Sequence, residues 1–444
     1  MKRATSIYLY FLTGFFPLVF SPDGFSNIFA TKRFFFVTAT LIYLASVIAL
    51  CIIKRYRPRL NTPCYFALGY LGITAISALV SEHFPKTLLG TSRFEGLFTV
   101  FLYVAVFICV SLFGNISSGI QYTLIGSSFL FGVICILQLH GLNPFGLYPG
   151  NMTFFDGGVK YSGSYIGTIG NADLVGGYLC IVIPLLFFIL VSGRIKFRIL
   201  ALFPLATLLY TVLKMSVSAC LVGLAAGLVF TLPIILRLKK KGVLIYSTAL
   251  VITSVAGLIV LYKVDFGTGL LHELHEILNG NISDEFGSNR IRIWREVISV
   301  IPEAFLLGKG PDTMLLEGFE KFSTYYPALN RTLTTSIDVA HNEYLNLLYH
   351  QGALGLISYL GIILSSLFEC FKNNRRVLGV SVIAYCTSAF FGFSMCLVSP
   401  FFWIVLALMT KASDDGGFFN SKICKLNNNQ AQDPHSARLR RQYR

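Results

Sequence analysis

Charged side chains are scarce in this sequence. Only 13% of its 444 residues are Asp, Glu, Lys or Arg, whereas 55% are hydrophobic. Soluble domains carry about 25% charged residues, so this composition excludes an ordinary soluble enzyme. The mean hydropathy is +0.68, and the apolar residues form blocks of roughly 20 residues, the length of a bilayer-spanning helix. The sequence therefore predicts an all-α, polytopic membrane protein.

The apolar blocks predict about twelve transmembrane helices. Their expected positions are 5–20, 34–53, 64–81, 95–113, 120–139, 172–192, 197–213, 217–236, 243–262, 346–371, 377–396 and 398–411. A large loop separates the ninth helix from the tenth. The expected parts are helices 1–9 (1–262), an extracytoplasmic loop domain (263–345), helices 10–12 (346–411) and a cytoplasmic basic tail (412–444).

Basic residues are concentrated in alternate loops. With the N-terminus in the cytoplasm, 23 of the 36 Lys and Arg residues fall on the cytoplasmic side and 13 outside. Positively charged loops stay in the cytoplasm during insertion, so both termini are expected there and the loop domain outside. This topology explains most of the net charge of +15. The expected surroundings are the lipid bilayer of the cytoplasmic membrane, and nucleic-acid binding is not expected.

Motifs of several other protein classes are missing. Most of the ten cysteines lie inside the expected spans and none lies in 263–345, so a disulfide framework is not expected. The turn Gly308–Asp312 lacks the spacing of a phosphate-binding P-loop. His272 and His275 are three positions apart, whereas the helical zinc motif needs four. We therefore predict neither a metal nor a cofactor.

Arginines cluster in the loop domain although it is acidic. Residues 263–342 hold seven basic and eleven acidic side chains. Arg290 would lie at the start of a helix expected over 289–304, with Ser288 as its cap. A cation there opposes the helix dipole, and an anionic ligand would explain it. Arg292 and Arg295 have a simpler alternative, because they could pair with Glu296 on a solvated helix face.

Other polar residues lie at the outer ends of the expected spans. An imidazole at the membrane face, such as His341, is placed to accept a proton near neutral pH, but it could also cap the tenth helix. Ionisable groups at membrane depth are costly and are functional candidates by default. Arg93 could instead pair with Glu95, and Lys214 could extend its amine to the interface. Asn171 and Asp173 stand at the outer end of the sixth helix.

Five short motifs occur together in one order. They are Leu89–Leu97, Gly167–Asn171, Ser288–Trp294, Leu307–Thr313 and His341–Leu345. With a large outside loop between the ninth and tenth of twelve spans, this order resembles the O-antigen ligase and O-antigen polymerase-like family over roughly residues 85–360. The fourth motif contains Gly-Pro-Asp-Thr, and in this form it is similar to the motif of family members from Gram-positive bacteria.

The resemblance implies a metal-independent glycan transferase of cell-surface polysaccharide biosynthesis. Its donor would be a polyprenyl-diphosphate-linked glycan and its acceptor a glycan, lipid or wall polymer, on the outer side of the membrane. The family's key loop residues are an Arg in an Arg-x-x-x-Trp segment, matching Arg290, and a His before the tenth span, matching His341. Ligase and polymerase reactions both remain open.

One departure from the family pattern concerns the donor. The family usually has an arginine in a Ser-Arg-Gly-like motif that opens the eighth span, but this chain has Ser216-Val217-Ser218. Lys214, three residues earlier, is a candidate replacement. Without this arginine the chain could bind the donor differently or could be inactive, and both alternatives remain.

The implied chemistry assigns roles to these residues. Fixed cations stabilise the charge of a departing diphosphate, and a positioned base takes the proton of the attacking hydroxyl. We expect His341 and Arg290 to be catalytic. The expected substrate-binding residues are Arg93, Lys214, Asn171, Arg292 and Asn342. A transporter of lipid-linked glycans and a catalytically inactive membrane scaffold are the alternatives, although the repeated halves and mid-membrane charges expected of a transporter are not evident.

Overall fold

The computed structural model describes residues 1–150, 152–156, 165–236, 238–326, 331–373 and 375–411. The predicted basic tail at 412–444 lies outside the described residues. In the first half of the chain the helices are α1 (Lys2–Tyr10), α2 (Ile28–Ile53), α3 (Thr62–Val80), α4 (Lys86–Leu89), α5 (Leu97–Phe113), α6 (Ser118–Leu139), α7 (Ala172–Ser192) and α8 (Ile195–Met215). In the second half they are α9 (Ser218–Ile235), α10 (Lys240–Lys263), α11 (Gly269–Leu278), α12 (Phe286–Val300), α13 (Glu343–Lys372), α14 (Arg376–Ala389) and α15 (Ser399–Met409).

The described helices make this chain an all-α, multi-pass membrane protein. Seven of them are long and apolar enough to cross a membrane, namely α2, α3, α6, α7, α8, α10 and α13. The shorter apolar helices α5, α9, α14 and α15 also lie where the hydropathy pattern predicts spans. In the region of the first predicted span, α1 continues into a wider π turn at Phe11–Phe15 and a tight turn at Phe16–Leu18. The total of twelve crossings stays a prediction.

Helix α7 lies at the centre of the bundle. It packs against α8, α9 and α14, and most of its residues are buried. Helix α10 is the opposite case, since it is apolar but has no buried residue. An apolar helix that is exposed on all sides is expected to face lipid. The N-terminus of α7 is therefore held by the core, whereas α10 lies at the periphery.

Two antiparallel hairpins occur among the described residues. Strand β1 (Tyr165–Ile166) pairs with β2 (Gly170–Asn171), directly before α7. Strand β3 (Phe322–Tyr326) pairs with β4 (Arg331–Thr335). The first hairpin positions Asn171 at the start of α7.

The helix predicted over 289–304 begins after a left-handed segment. Gly287, Ser288 and Asn289 have φ values of 62°, 58° and 67° inside α12, and α12 has no side-chain cap. Regular helix therefore starts at Arg290, and the expected capping by Ser288 is wrong. A tight turn at Ile301–Ala304 follows α12.

Helix α13 is bent at Gly352, where φ is 68° and ψ is −173°. Two backbone contacts hold the bend against the preceding loop: the N–H of Lys309 donates to the carbonyl of Tyr349 (2.8 Å), and that of Ala353 to the carbonyl of Phe305 (2.8 Å). The region of the predicted tenth span, 346–371, therefore consists of a short outer segment and a longer helix.

Candidate active site

Asp173 joins the two residues that the sequence predicts to be catalytic. Its Oδ2 atom lies 3.2 Å from Nη2 of Arg290 and 3.4 Å from Nδ1 of His341. Asp173 occupies the first turn of α7, where the helix dipole favours a carboxylate. Asp173 is one of the polar residues at the outer ends of the predicted spans, but its contacts with Arg290 and His341 were not predicted.

Arg290 is oriented by the protein itself. Its Nη1 donates to the carbonyl of Gly287 (2.9 Å) and its Nη2 to Asp173 (3.2 Å). The anionic partner that its position predicts is thus supplied by a carboxylate of the chain. The buried Nε has no hydrogen-bond partner within the described residues. Because a guanidinium carries five N–H donors, Arg290 retains donors for a ligand.

His341 has an unusual backbone and a defined ring orientation. Its φ is +48°, a left-handed value that is uncommon outside glycine. The ring meets Phe393 edge to face, with 5.3 Å between centroids. Nδ1 lies 3.4 Å from Asp173 but makes no hydrogen bond within the described residues. A hydrogen on Nδ1 would leave Nε2 to accept a proton.

The cap of α13 is Asn342 and not His341. Its Oδ1 accepts hydrogen bonds from the backbone N–H groups of Tyr344 and Leu345, both at 3.0 Å. The alternative in which His341 caps the tenth helix is therefore wrong. Substrate binding by Asn342 stays a prediction, and its Oδ1 is already engaged.

Arg93 pairs with Asp338 and not with Glu95. Its Nε and Nη2 atoms lie 2.8 and 2.9 Å from the two carboxylate oxygens of Asp338, a bidentate geometry that fixes the guanidinium plane. The guanidinium carbon lies 4.7 Å from the ring centroid of Phe393. Phe393 also contacts His341. Arg93 therefore lies beside the cluster formed by Asp173, Arg290 and His341.

Asp312 connects two of the sequence motifs. Its Oδ2 accepts backbone N–H groups of Thr91 (2.7 Å), Arg93 (3.1 Å) and Glu95 (3.4 Å), and its Oδ1 accepts the hydroxyl of Ser92 (3.3 Å). Burial raises the pKa of the Asp312 carboxyl above its ordinary value, and these donors partly oppose the rise. The Gly-Pro-Asp turn therefore shapes the loop that carries Arg93.

The other arginines of α12 form pairs within the loop domain. Arg292 contacts Glu320 at 3.1 Å and Arg295 contacts Asp284 at 2.7 Å. The expected pairing with Glu296 is therefore wrong. Arg295 is 64% exposed, and such a pair contributes little to stability.

Asn171 caps α7, and its Oδ1 accepts the N–H groups of Asp173 (2.9 Å) and Leu174 (3.4 Å). It thus positions the backbone of Asp173.

Lys214 is exposed near the end of α8, without a hydrogen bond or ion pair to the described part of the chain.

The position where the family usually has an arginine lies near the same end of α7. A Cβ atom on Gly176 would lie 3.6 Å from Cγ1 of Val217, so Val217 packs one turn from Asp173. A residue at position 217 is therefore close to the predicted donor site.

Comparison with known proteins agrees with the resemblance over part of its range. Residues 202–360 match the family model described as O-antigen ligase. The match includes Arg290 and His341, whereas Arg93 and Asp173 precede it. A comparison with curated proteins finds no match. The family match identifies residues 202–360 as an O-antigen ligase-like region of a multi-pass membrane protein.

Proposed function

We propose that this protein transfers a glycan from a polyprenyl-diphosphate carrier to an acceptor hydroxyl on the outer side of the cytoplasmic membrane. The observation that carries the proposal is the shared contact of Arg290 and His341 with Asp173. One carboxylate thereby orients a cation suited to the diphosphate and a base suited to the acceptor. The O-antigen ligase match over 202–360 supports the same reaction class.

His341 is the proposed base. Asp173 faces Nδ1, so Nε2 takes the proton of the acceptor hydroxyl as that oxygen attacks the anomeric carbon. The bond between this carbon and the diphosphate oxygen breaks, and the lipid diphosphate leaves with the electron pair. One direct displacement inverts the anomeric configuration. A carboxylate that orients a catalytic imidazole has the same role in serine proteases.

Arg290 and Arg93 are the proposed donor contacts. Arg290 retains an unpartnered Nε among the described residues, and the diphosphate would compete with Asp173 for its guanidinium. Arg93 uses Nε and Nη2 for Asp338. Its Nη1 contacts the sulfur of Met395 at 3.5 Å, a weak acceptor that a phosphate oxygen would replace. Planar guanidinium groups suit phosphate oxygens, and fixed cations stabilise the leaving group without reorganisation.

Reconstituted membranes with a lipid-linked glycan test this proposal. Formation of a new glycosidic bond to the acceptor, together with release of lipid diphosphate, is the expected result. Movement of the lipid-linked glycan across the bilayer without bond formation would indicate a transporter. If neither occurs with the parent chain, the scaffold alternative replaces the proposal.

A further inference from the structure

A cavity of about 80 Å³ lies between the Arg93–Asp338 pair and the helix bundle. A buried water needs roughly 10–15 Å³ of such space, so the cavity has room for about six waters. This is the scale of one sugar ring and not of an oligosaccharide. The walls combine carboxyl groups with aromatic rings, among them Glu95, Glu343, Tyr70, Tyr103, Tyr359 and Trp403.

Two of the four carboxyl groups that line the cavity, those of Glu95 and Glu343, are held by hydroxyl and amide donors. Glu343 accepts from the hydroxyls of Tyr359 and Tyr385. Glu95 accepts from the hydroxyl of Tyr103 (3.0 Å) and the N–H of Cys396 (2.7 Å). Neither carboxyl group has an ion-pair partner within the described ranges. A carboxyl group has more acceptor positions than two hydrogen bonds occupy, so both can accept further hydrogen bonds.

Gln351 adds an acceptor without a donor. Its side chain lines the cavity and the residue is only 4% exposed. Its buried Oε1 atom has no hydrogen-bond partner in the described part of the chain. Because a buried acceptor without a donor is costly, this position calls for a ligand that presents O–H or N–H groups.

The same walls disfavour an anionic ligand. Arg93 is the permanently positive residue among those that line the cavity, and Asp338 occupies its Nε and Nη2. A buried anion would face Glu95 and Glu343, which have no ion-pair partner in the described ranges, while the charge of Arg93 is already shared with Asp338. An uncharged ring avoids this cost, and the faces of Tyr and Trp rings can pack against its C–H groups.

We propose that this cavity binds one substrate sugar ring, uncharged or bearing an ammonium group, through its hydroxyl hydrogens. That the bound sugar is a substrate rests on the proposed transfer function. The cavity would then determine which sugars the protein accepts. Phe393 lines the cavity and also contacts the ring of His341. One aromatic ring therefore separates a sugar in the cavity from the proposed base.

Fluorescence of Trp403 tests the cavity without requiring turnover. The chain has two tryptophans, and the signal of interest is the change that disappears in Trp403→Phe. Purified full-length protein is titrated with glucose, glucosamine or glucuronate. Glucose and glucosamine should produce a saturable change, and glucuronate should not.

Two variants and one control locate the binding site. Glu343→Gln and Gln351→Leu should each raise the half-saturating sugar concentration about tenfold, as expected for loss of one hydrogen bond. Glu369→Gln is the matched control, because Glu369 lies at the far end of α13 beside Lys372 and Asn373. It should leave the titration unchanged.

Several results would overturn the proposal. These are the absence of a saturable response to all three sugars, an equal response to glucuronate, and unchanged binding in both variants. A Trp403 change produced by sodium chloride, and not by choline chloride or sugar, would assign the cavity to a small cation instead. Sugar binding with no transfer by the parent chain contradicts the proposed function alone, whereas transfer without sugar binding contradicts this inference alone.

Discussion

Asp173 contacts two residues that follow it by more than one hundred positions in the chain. Its pair with Arg290 spans 117 residues. The acidic side chain stabilises the N-terminus of α7, lies 3.4 Å from the imidazole of His341 and offsets the unfavourable position of Arg290 at a helix start. Single substitutions can separate these contributions.

Arg290→Ala should abolish glycan transfer while expression stays normal, because the departing diphosphate loses its cation. The matched control is Arg295→Ala on the same helix, since Arg295 is exposed and paired with Asp284. Product formation in reconstituted membranes measures both. Normal turnover by Arg290→Ala would remove Arg290 from the mechanism.

His341→Gln should slow transfer by about 10²–10⁴-fold, the usual contribution of a positioned base. Donor binding should persist, because other residues hold the diphosphate. A His341→Gln variant that turns over at the parent rate would exclude this role.

Asp173→Asn should lower the transfer rate by roughly 10²–10⁴-fold, because the amide no longer favours the tautomer of His341 that has Nε2 free. Asp265→Asn is the control, since Asp265 also contacts a histidine, His272, at 2.6 Å but is 50% exposed. Single-turnover rates with saturating donor distinguish slower chemistry from weaker binding. Equal rates for Asp173→Asn and Asp265→Asn would contradict the proposed orientation of His341.

Among the elements, α13 has the most specific backbone requirement. A Cβ atom on Gly352 would lie 2.3 Å from the carbonyl of Leu306, and its positive φ strains other residues. Gly352→Ala should therefore destabilise the protein by about 1–3 kcal/mol. Gly72→Ala in α3 should change stability far less, because nothing lies within 4 Å of its Cβ position. Thermal unfolding in detergent compares the two, and equal unfolding temperatures would show that the bend does not depend on glycine.

At the scale of the whole molecule, the expected topology has the loop domain outside the cell. A cysteine at Ser283 should react with an impermeant reagent added to intact cells, and a cysteine at Asn373 should react only after lysis. The physical reason is that basic loops, such as the one near Arg375 and Arg376, stay in the cytoplasm. The parent chain gives the background from its native cysteines. The reverse labelling pattern would overturn the orientation.

Helix positions were predictable because a membrane span needs a long local run of apolar residues. The predicted span 172–192 coincides with α7, whereas the first predicted span is interrupted near Pro17. Local hydropathy does not register a break inside an apolar segment. For the same reason the bend at Gly352 inside the tenth span was not predicted.

The sequence by itself determined that this is an apolar, multi-helix membrane protein, and its motifs selected Arg290, Arg93 and His341. Their partners were decided only by the tertiary structure. The Arg93–Asp338 pair joins residues 245 positions apart, although Glu95 was the nearer carboxylate in sequence. Composition and spacing are local properties, whereas an ion pair depends on which helix ends the packed bundle brings together. For that reason the cluster around Asp173 became visible only in the folded chain.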